Sequence, residues 1–420
     1  MKASRQAGLA VAALCAALAA PAAEWRSSAL EIASWNAAAS PTNMDDSVFS
    51  PVGFGVTVAM LGEGLGGSAR AEMAEMLGLI SDFSVAFGNV LKSYAAANVS
   101  NRVSVTIASS LWTTRRRALG ADYILALQRG FEAEAGFLSG ILPVNAWTEA
   151  KTEGRITNVL PEMPRKVDTL VVGAVAFEGA WRRPFDDEKG RPGDFTRADG
   201  SKVKLTFLRT ECPVVRVATE RFTAAKAEFA ANGMSFLAVI PAEGVSLAEL
   251  REKDFANGGI DELKALMRAR SGDGVEFARS RFAIPRFSIR SDWRLEGALR
   301  EVKMPQTGFD RMGEGSFVVN DVRQAAYISI SGKGYSLTPG MEPEPQDVRG
   351  RRRPGELVRK GGTGEDGDDS VGGKAGVPFL CDRPFLFFVW DVGTDTFVLA
   401  GQFTGSGHKA KQPKKGDQKR

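Results

Sequence analysis

Histidine is all but missing from this chain: of 420 residues only His408 is one, and it stands twelve residues from the end. Cysteine is scarce too, at three. Cys15 lies in an N-terminal apolar run, which leaves Cys212 and Cys381 for the remainder. A zinc site built from Cys and His is therefore excluded. A Ser/His or Cys/His nucleophile pair lacks its base, since the only imidazole sits in a polar, basic tail. No G-x-S-x-G, H-E-x-x-H or S-x-x-K in a supporting context appears. Paired Asp/Glu chemistry would need a motif among 50 acidic residues, and none stands out from surface charge. Metal and cofactor are both expected to be none, and no catalytic activity is expected.

Long apolar runs are also few. The first 23 residues carry Lys2 and Arg5, an apolar run from Ala7 to Ala20, and then Ala20-Pro21-Ala22 as a small-residue cleavage site. That run is short for a membrane span, so residues 1–23 read as a secretory signal and the protein as secreted, extracellular or periplasmic. Cys15 fits a lipid anchor poorly, because Leu14 precedes it. Export would permit a disulfide between Cys212 and Cys381, although nothing local places them together.

The chain carries 54 basic and 50 acidic residues. Setting aside Lys2, Arg5 and the tail 408–420, with its six basic residues and Asp417, leaves 46 basic against 49 acidic. The folded body thus has no electrostatic footprint for nucleic acid. The tail reads as a solvated, disordered end, or as a contact for an anionic polymer or surface.

Hydrophobic periodicity predicts helices over SALEIASWNAAA and SPVGFGVTVAML, joined at Ser40-Pro41, and a third capped by Ser68. ADYILALQRGFEAEAGFL and VNAWTEAKTEGRITNVL read as two more, and DWRLEGALREV as another, opened by Ser291 or Asp292. VSVTIASSLW alternates as a strand. LVVGAVAFEGAW is a nearly continuous apolar run, as expected for a strand covered on both faces. SFLAVIP, VEFARSRFAIPRFSI, FVVNDVRQAAYISIS, PFLFFVWDV and FVLAGQF supply further strands. Helices early and strands late suggest an α+β class and a single domain over 24–407. Gly62-Glu63-Gly64-Leu65-Gly66-Gly67 has dinucleotide-fingerprint spacing, but helix precedes it where the mechanism needs a strand, so it reads as a turn.

One segment breaks the composition. Residues 331–378 hold twelve glycines, five prolines, sixteen charges and a single aromatic, Tyr335. Such a stretch cannot bury enough apolar surface to offset its ordering entropy, which predicts exposure over most of 332–378. Only about 25 residues of strong strands follow, too few for a domain, so they return to the preceding body. A long loop of this kind inside one domain is usually functional.

Several segments, in order, resemble the serpin family. DSVFSPVGFGVTVAML, VNAWTEAKTEGRITNVLP, VVGAVAFEGAWRRPF, FAIPRFSIRSDWRLEGALREV and DRPFLFFVWDVGTDTFVLAGQF carry the likeness. The resemblance implies a large central mixed sheet with helices of the N-terminal third packed on it, and two further sheets. It implies a serine-type endopeptidase inhibitor whose exposed segment is a reactive-centre loop, cleaved by a protease and then inserted into the central sheet; the protein is expected to be monomeric, and the arginines of the loop invite a trypsin-like serine protease. It places the sheet-top tryptophan on Trp181. The family's polar network under the sheet falls on Gly53, Gly173 and Gln324, where two side chains are absent. The hinge falls on Gly334, Tyr335, Ser336, Leu337, Thr338 and Pro339. Reactive-site candidates are Val348, Arg349, Arg351, Arg352 and Arg353, in a loop about twenty residues longer than usual. Pro339, Pro343 and Pro345 would remove ladder donors from an inserting strand, and Tyr335 is bulky where the family is small, so complete insertion is disfavoured. A non-inhibitory binding or scaffold protein is the alternative expectation.

Overall fold

The computed structural model describes residues 45–79, 81–98, 102–114, 118–230, 233–269, 274–315, 317–332 and 376–407. The expected signal, the helix over SALEIASWNAAA, most of the long loop and the basic tail lie outside these residues.

Strand β1 (Ser47–Phe49) leads into helix α1 (Pro51–Gly64). Ser50 caps that helix, its Oγ accepting from Gly53 N at 3.0 Å, and Pro51 fills the first helical position where a missing N–H costs nothing. All fourteen residues of α1 are buried, Thr57 and Glu63 among them, as a helix this rich in apolar residues requires. Gly62 and Gly64 close α1, and α2 (Gly67–Met76) follows, so the glycine-rich stretch is an inter-helix turn. The N-cap of α2 is Gly66 instead of Ser68. Helix α3 (Phe83–Asn98), strand β2 (Val103–Thr113) and helix α4 (Ala121–Phe131) complete the N-terminal layer.

Three predicted helices end sooner or start later than the periodicity suggests. Glu132 takes a left-handed conformation that stops α4, and Glu134–Phe137 is strand β3. Helix α5 (Ile141–Lys151) stops where Thr152 Oγ1 accepts from Ile156 N at 3.0 Å, a side-chain bond that competes with helix propagation. The segment around Ser291 and Asp292 is strand β10 (Phe287–Arg294), and only Glu296–Glu301 is helical.

Strand β4 (Thr169–Gly179) is the centre of a five-stranded mixed sheet in the order β10-β11-β4-β2-β3, where β11 is Val319–Ile330. Val171, Val175 and Phe177 enter the main core on one face, while Leu170, Val172 and Ala174 pack with Val144 and Trp147 of α5 on the other. This two-sided burial explains the nearly continuous apolar run. β4 and β11 run parallel and in register from Asp321↔Leu170 to Ser329↔Glu178.

The other sheet has nine strands. It contains β5 (Arg191–Thr196), β6 (Lys202–Ala218), β7 (Phe222–Glu228), β8 (Met234–Pro241), β9 (Val275–Pro285), β12 (Phe379–Leu380), β13 (Phe385–Asp391), β14 (Thr396–Phe403) and β1. β6 pairs β5 through its first third and β7 through its last four residues. The two further sheets expected from the resemblance are therefore continuous here through one 17-residue strand. Cys212 on β6 and Cys381 are buried free thiols, and burial pushes the Cys212 thiol up to about 11.

Candidate functional site

The long segment follows directly from the end of the seam between β4 and β11. Just past β4, Trp181 stacks on Phe229 with ring centroids 4.6 Å apart, and meets Phe185 and Phe236 edge-on. Its indole Nε1 donates to Ser331 O at 3.0 Å, one residue beyond β11. Gly332 is buried, not exposed as the composition suggested. A Cβ there would lie 2.4 Å from Glu188 O and 2.6 Å from Glu188 Cα, so the 186–190 segment roofs the end of β11. That roof is tied down by Asp186 N donating to Arg209 O at 3.0 Å. Where the chain re-enters, Gly376 N donates to Arg279 O at 2.9 Å and β12 runs parallel beside β9.

Midway down the seam, Ser109, Gly173 and Gln324 stand in one cross-strand row on the face covered by α1. Gln324 is fully buried and binds one residue twice: Oε1 accepts from Ser50 N at 2.8 Å and Nε2 donates to Ser50 O at 3.0 Å. The Ser50 hydroxyl in turn donates to Val398 O at 2.7 Å, joining the helix cap to β14. Ser109 Oγ, also buried, has no partner among the described residues. The two glycines differ. A Cβ at Gly53 would come within 2.6 Å of Val175 Cγ2, whereas one at Gly173 would sit at ordinary contact distance, 3.6 Å from Thr57 Oγ1.

Adding a serine side chain at the first of these positions should therefore overpack the core. Gly53→Ser is expected to cost about 1–3 kcal/mol. Gly173→Ser should be neutral or stabilising by about 0.5–1 kcal/mol, because the strand loses a flexible residue and gains a hydroxyl beside Thr57. Urea midpoints of the two variants test this; the reverse order would overturn the packing assignment.

Of the site residues singled out in the sequence, Gly53, Gly173 and Gln324 come together under α1. Trp181 sits apart: the Gln324↔Gly173 and Ser329↔Glu178 pairs are five residues distant along the seam, roughly 17 Å at strand rise. The hinge residues Gly334, Tyr335, Ser336, Leu337, Thr338 and Pro339 lie outside the described residues, as do Val348, Arg349, Arg351, Arg352 and Arg353. Sequence reasoning missed Ser50, Ser109, Glu188 and Gly332. Ser50 alone had a signal, as the residue before a helix-opening proline.

A family model described as Serpin (serine protease inhibitor) matches residues 29–405. The chain is similar to ovalbumin of Coturnix japonica, 23% identical over 389 residues that cover 85% of this chain and 92% of that one. It is similar to Serpin B9 of Homo sapiens, 24% identical over 389 residues, covering 86% and 94% respectively. Its fold matches the crystal structure of native protease nexin-1 with heparin, with a TM-score of 0.71, 18% identity and coverage of 90% of this chain and 97% of that one.

Proposed function

Because the chain belongs to the serpin family, which includes protease inhibitors and non-inhibitory members, we propose that it is a secreted inhibitor of a trypsin-like serine protease, presenting 332–378 as its reactive-centre loop. The observation that carries the reading is the intact parallel seam of β4 and β11, with a long polar, arginine-bearing segment starting at its end. Such a seam is a bistable element: it can stay closed or admit one more strand. The arginines between Arg349 and Arg353 supply bait for a protease with an acidic specificity pocket.

The proposed mode is cleavage without complete insertion. In an inserting strand, alternate residues enter the core, so Tyr335, Leu337 and Pro339 share a buried parity. Each ladder carbonyl left unsatisfied by Pro339, Pro343 or Pro345 would cost about 1–3 kcal/mol. The protein would then act as a reversible or substrate-like decoy. The same prolines, with Gly53 and Gly173 in place of polar side chains, favour the second reading, a non-inhibitory binding protein. The basic tail suits an anionic polymer, a chemistry in keeping with the heparin bound to protease nexin-1.

Incubation with a panel of serine proteases, read by denaturing electrophoresis and thermal melting, separates these modes. Expected are inhibition of an arginine-directed protease, cleavage among Arg349–Arg353, no covalent complex and no rise in melting temperature. A covalent complex with a large rise would overturn the decoy mode. Absence of any inhibition would leave the binding-protein reading in its place. Replacing Tyr335 by Thr and Pro339 by Ala together should shift the protein towards covalent trapping.

A further inference from the structure

The face of the five-stranded sheet turned away from α1 carries a cavity of about 510 Å³ that the seam does not use. Its floor is β10 and β11, and its opposite wall is the 158–161 segment that leads from α5 towards β4. Arg290, Asp292 and Arg294 alternate along β10, and Arg294 stands directly opposite Arg323 in the ladder. Like charges in that position repel. Asp321, 2% exposed, offsets this incompletely: it takes Arg323 through two bonds of 2.7 and 3.0 Å but reaches Arg294 only at 3.4 Å.

Arg294 is two-thirds exposed, and among the described residues most of its five N–H groups are unspent. Arg290 donates to Asn158 O at 3.1 Å and Asp292 Oδ1 at 3.0 Å, and its buried Nε has no partner among the described residues. Three guanidiniums and a single carboxylate, Asp292, thus line a space far larger than an ion, with Val159 and Pro161 as apolar wall.

We propose that this cavity binds a small organic phosphate or sulfate monoester. The oxyanion accepts from the planar fork of Arg294 and from Nη1 of Arg323, whose Nε and Nη2 are held by Asp321. The organic body lies against Val159 and Pro161. Asp292 opposes the anion and limits its affinity. A ligand held this way joins β10 and β11 to the segment entering β4, and so holds the seam closed. The binding itself does not depend on the inhibitory role.

Calorimetric titration of the full chain with phenyl phosphate, and separately with inorganic phosphate, at constant ionic strength tests the assignment. Expected is saturable one-to-one binding, tighter for phenyl phosphate, with a rise in melting temperature. Arg294→Gln should weaken it about tenfold or more, as loss of a charged hydrogen-bonding pair does, with the unliganded melt unchanged. Asp292→Asn should tighten it. Binding unaltered by both substitutions would place the anion elsewhere, such as on the basic tail, and overturn the site. Equal affinity for the two probes would overturn the organic body and leave a site for the free anion.

Discussion

Gln324→Met should lower the free energy of unfolding by about 2–5 kcal/mol although it preserves side-chain volume. Gln324 is the only contact that the described residues show for both Ser50 N and Ser50 O beyond the helix's own bonds, at 2.8 and 3.0 Å, and all these groups are buried. Ser50 O already accepts from Phe54 N, so its loss is partial, while Ser50 N is left with no replacement. A buried polar group deprived of its partner costs about 1–3 kcal/mol, and two are affected. The thioether of methionine offers no donor and only a weak acceptor. Denaturant unfolding followed by far-UV circular dichroism measures the effect. A change below about 0.5 kcal/mol would show that the Ser50 pairing does not hold α1 to the sheet. The damage should be local to the seam first, with faster amide exchange in β11 than in β13.

Trp181→Ala should cost about 3–5 kcal/mol, the range for truncating a buried aromatic. Three rings lose a partner at once: Phe229 its stacked face, Phe185 and Phe236 their edges. Trp181→Phe separates packing from latching. It keeps a ring over Phe229 but removes the N–H that Ser331 O accepts, for about 0.5–1.5 kcal/mol. Its signature is positional: exchange protection should fall at the end of β11 and stay unchanged midway down. If exchange there is the same as in the parent protein, the indole packs the sheet end without restraining the chain that leaves it.

Both predictions turn on contacts of very different legibility. α1, β4 and β11 could be read directly, because apolar runs and alternation are one-dimensional signals. β5, β6 and β7 could not: β6 carries Lys202, Lys204, Arg209 and Glu211 on its outer side and Pro213 within it, which mimics loop composition. The site divides in the same way. Gln324, Gly53, Gly173 and Trp181 were legible through resemblance. Their partners were not, since Ser50 and Gln324 are 274 residues apart and the bond is to backbone, which leaves no mark on residue type. Gly332 is the sharper case. In a glycine-rich stretch one more glycine reads as flexibility, yet this one is where two backbones touch.

The direction of chain travel in the seam has a consequence of its own. β4 and β11 point the same way, so a segment that turned back on leaving β11 would run against both neighbours. One slanted parallel ladder would become two perpendicular antiparallel ones, each slightly stronger per residue. Such an added strand would have an axis of roughly 30 Å to pair along, the length of the ten paired positions. Whether such a strand is ever added would then depend on the amino acids offered to it and not on the frame.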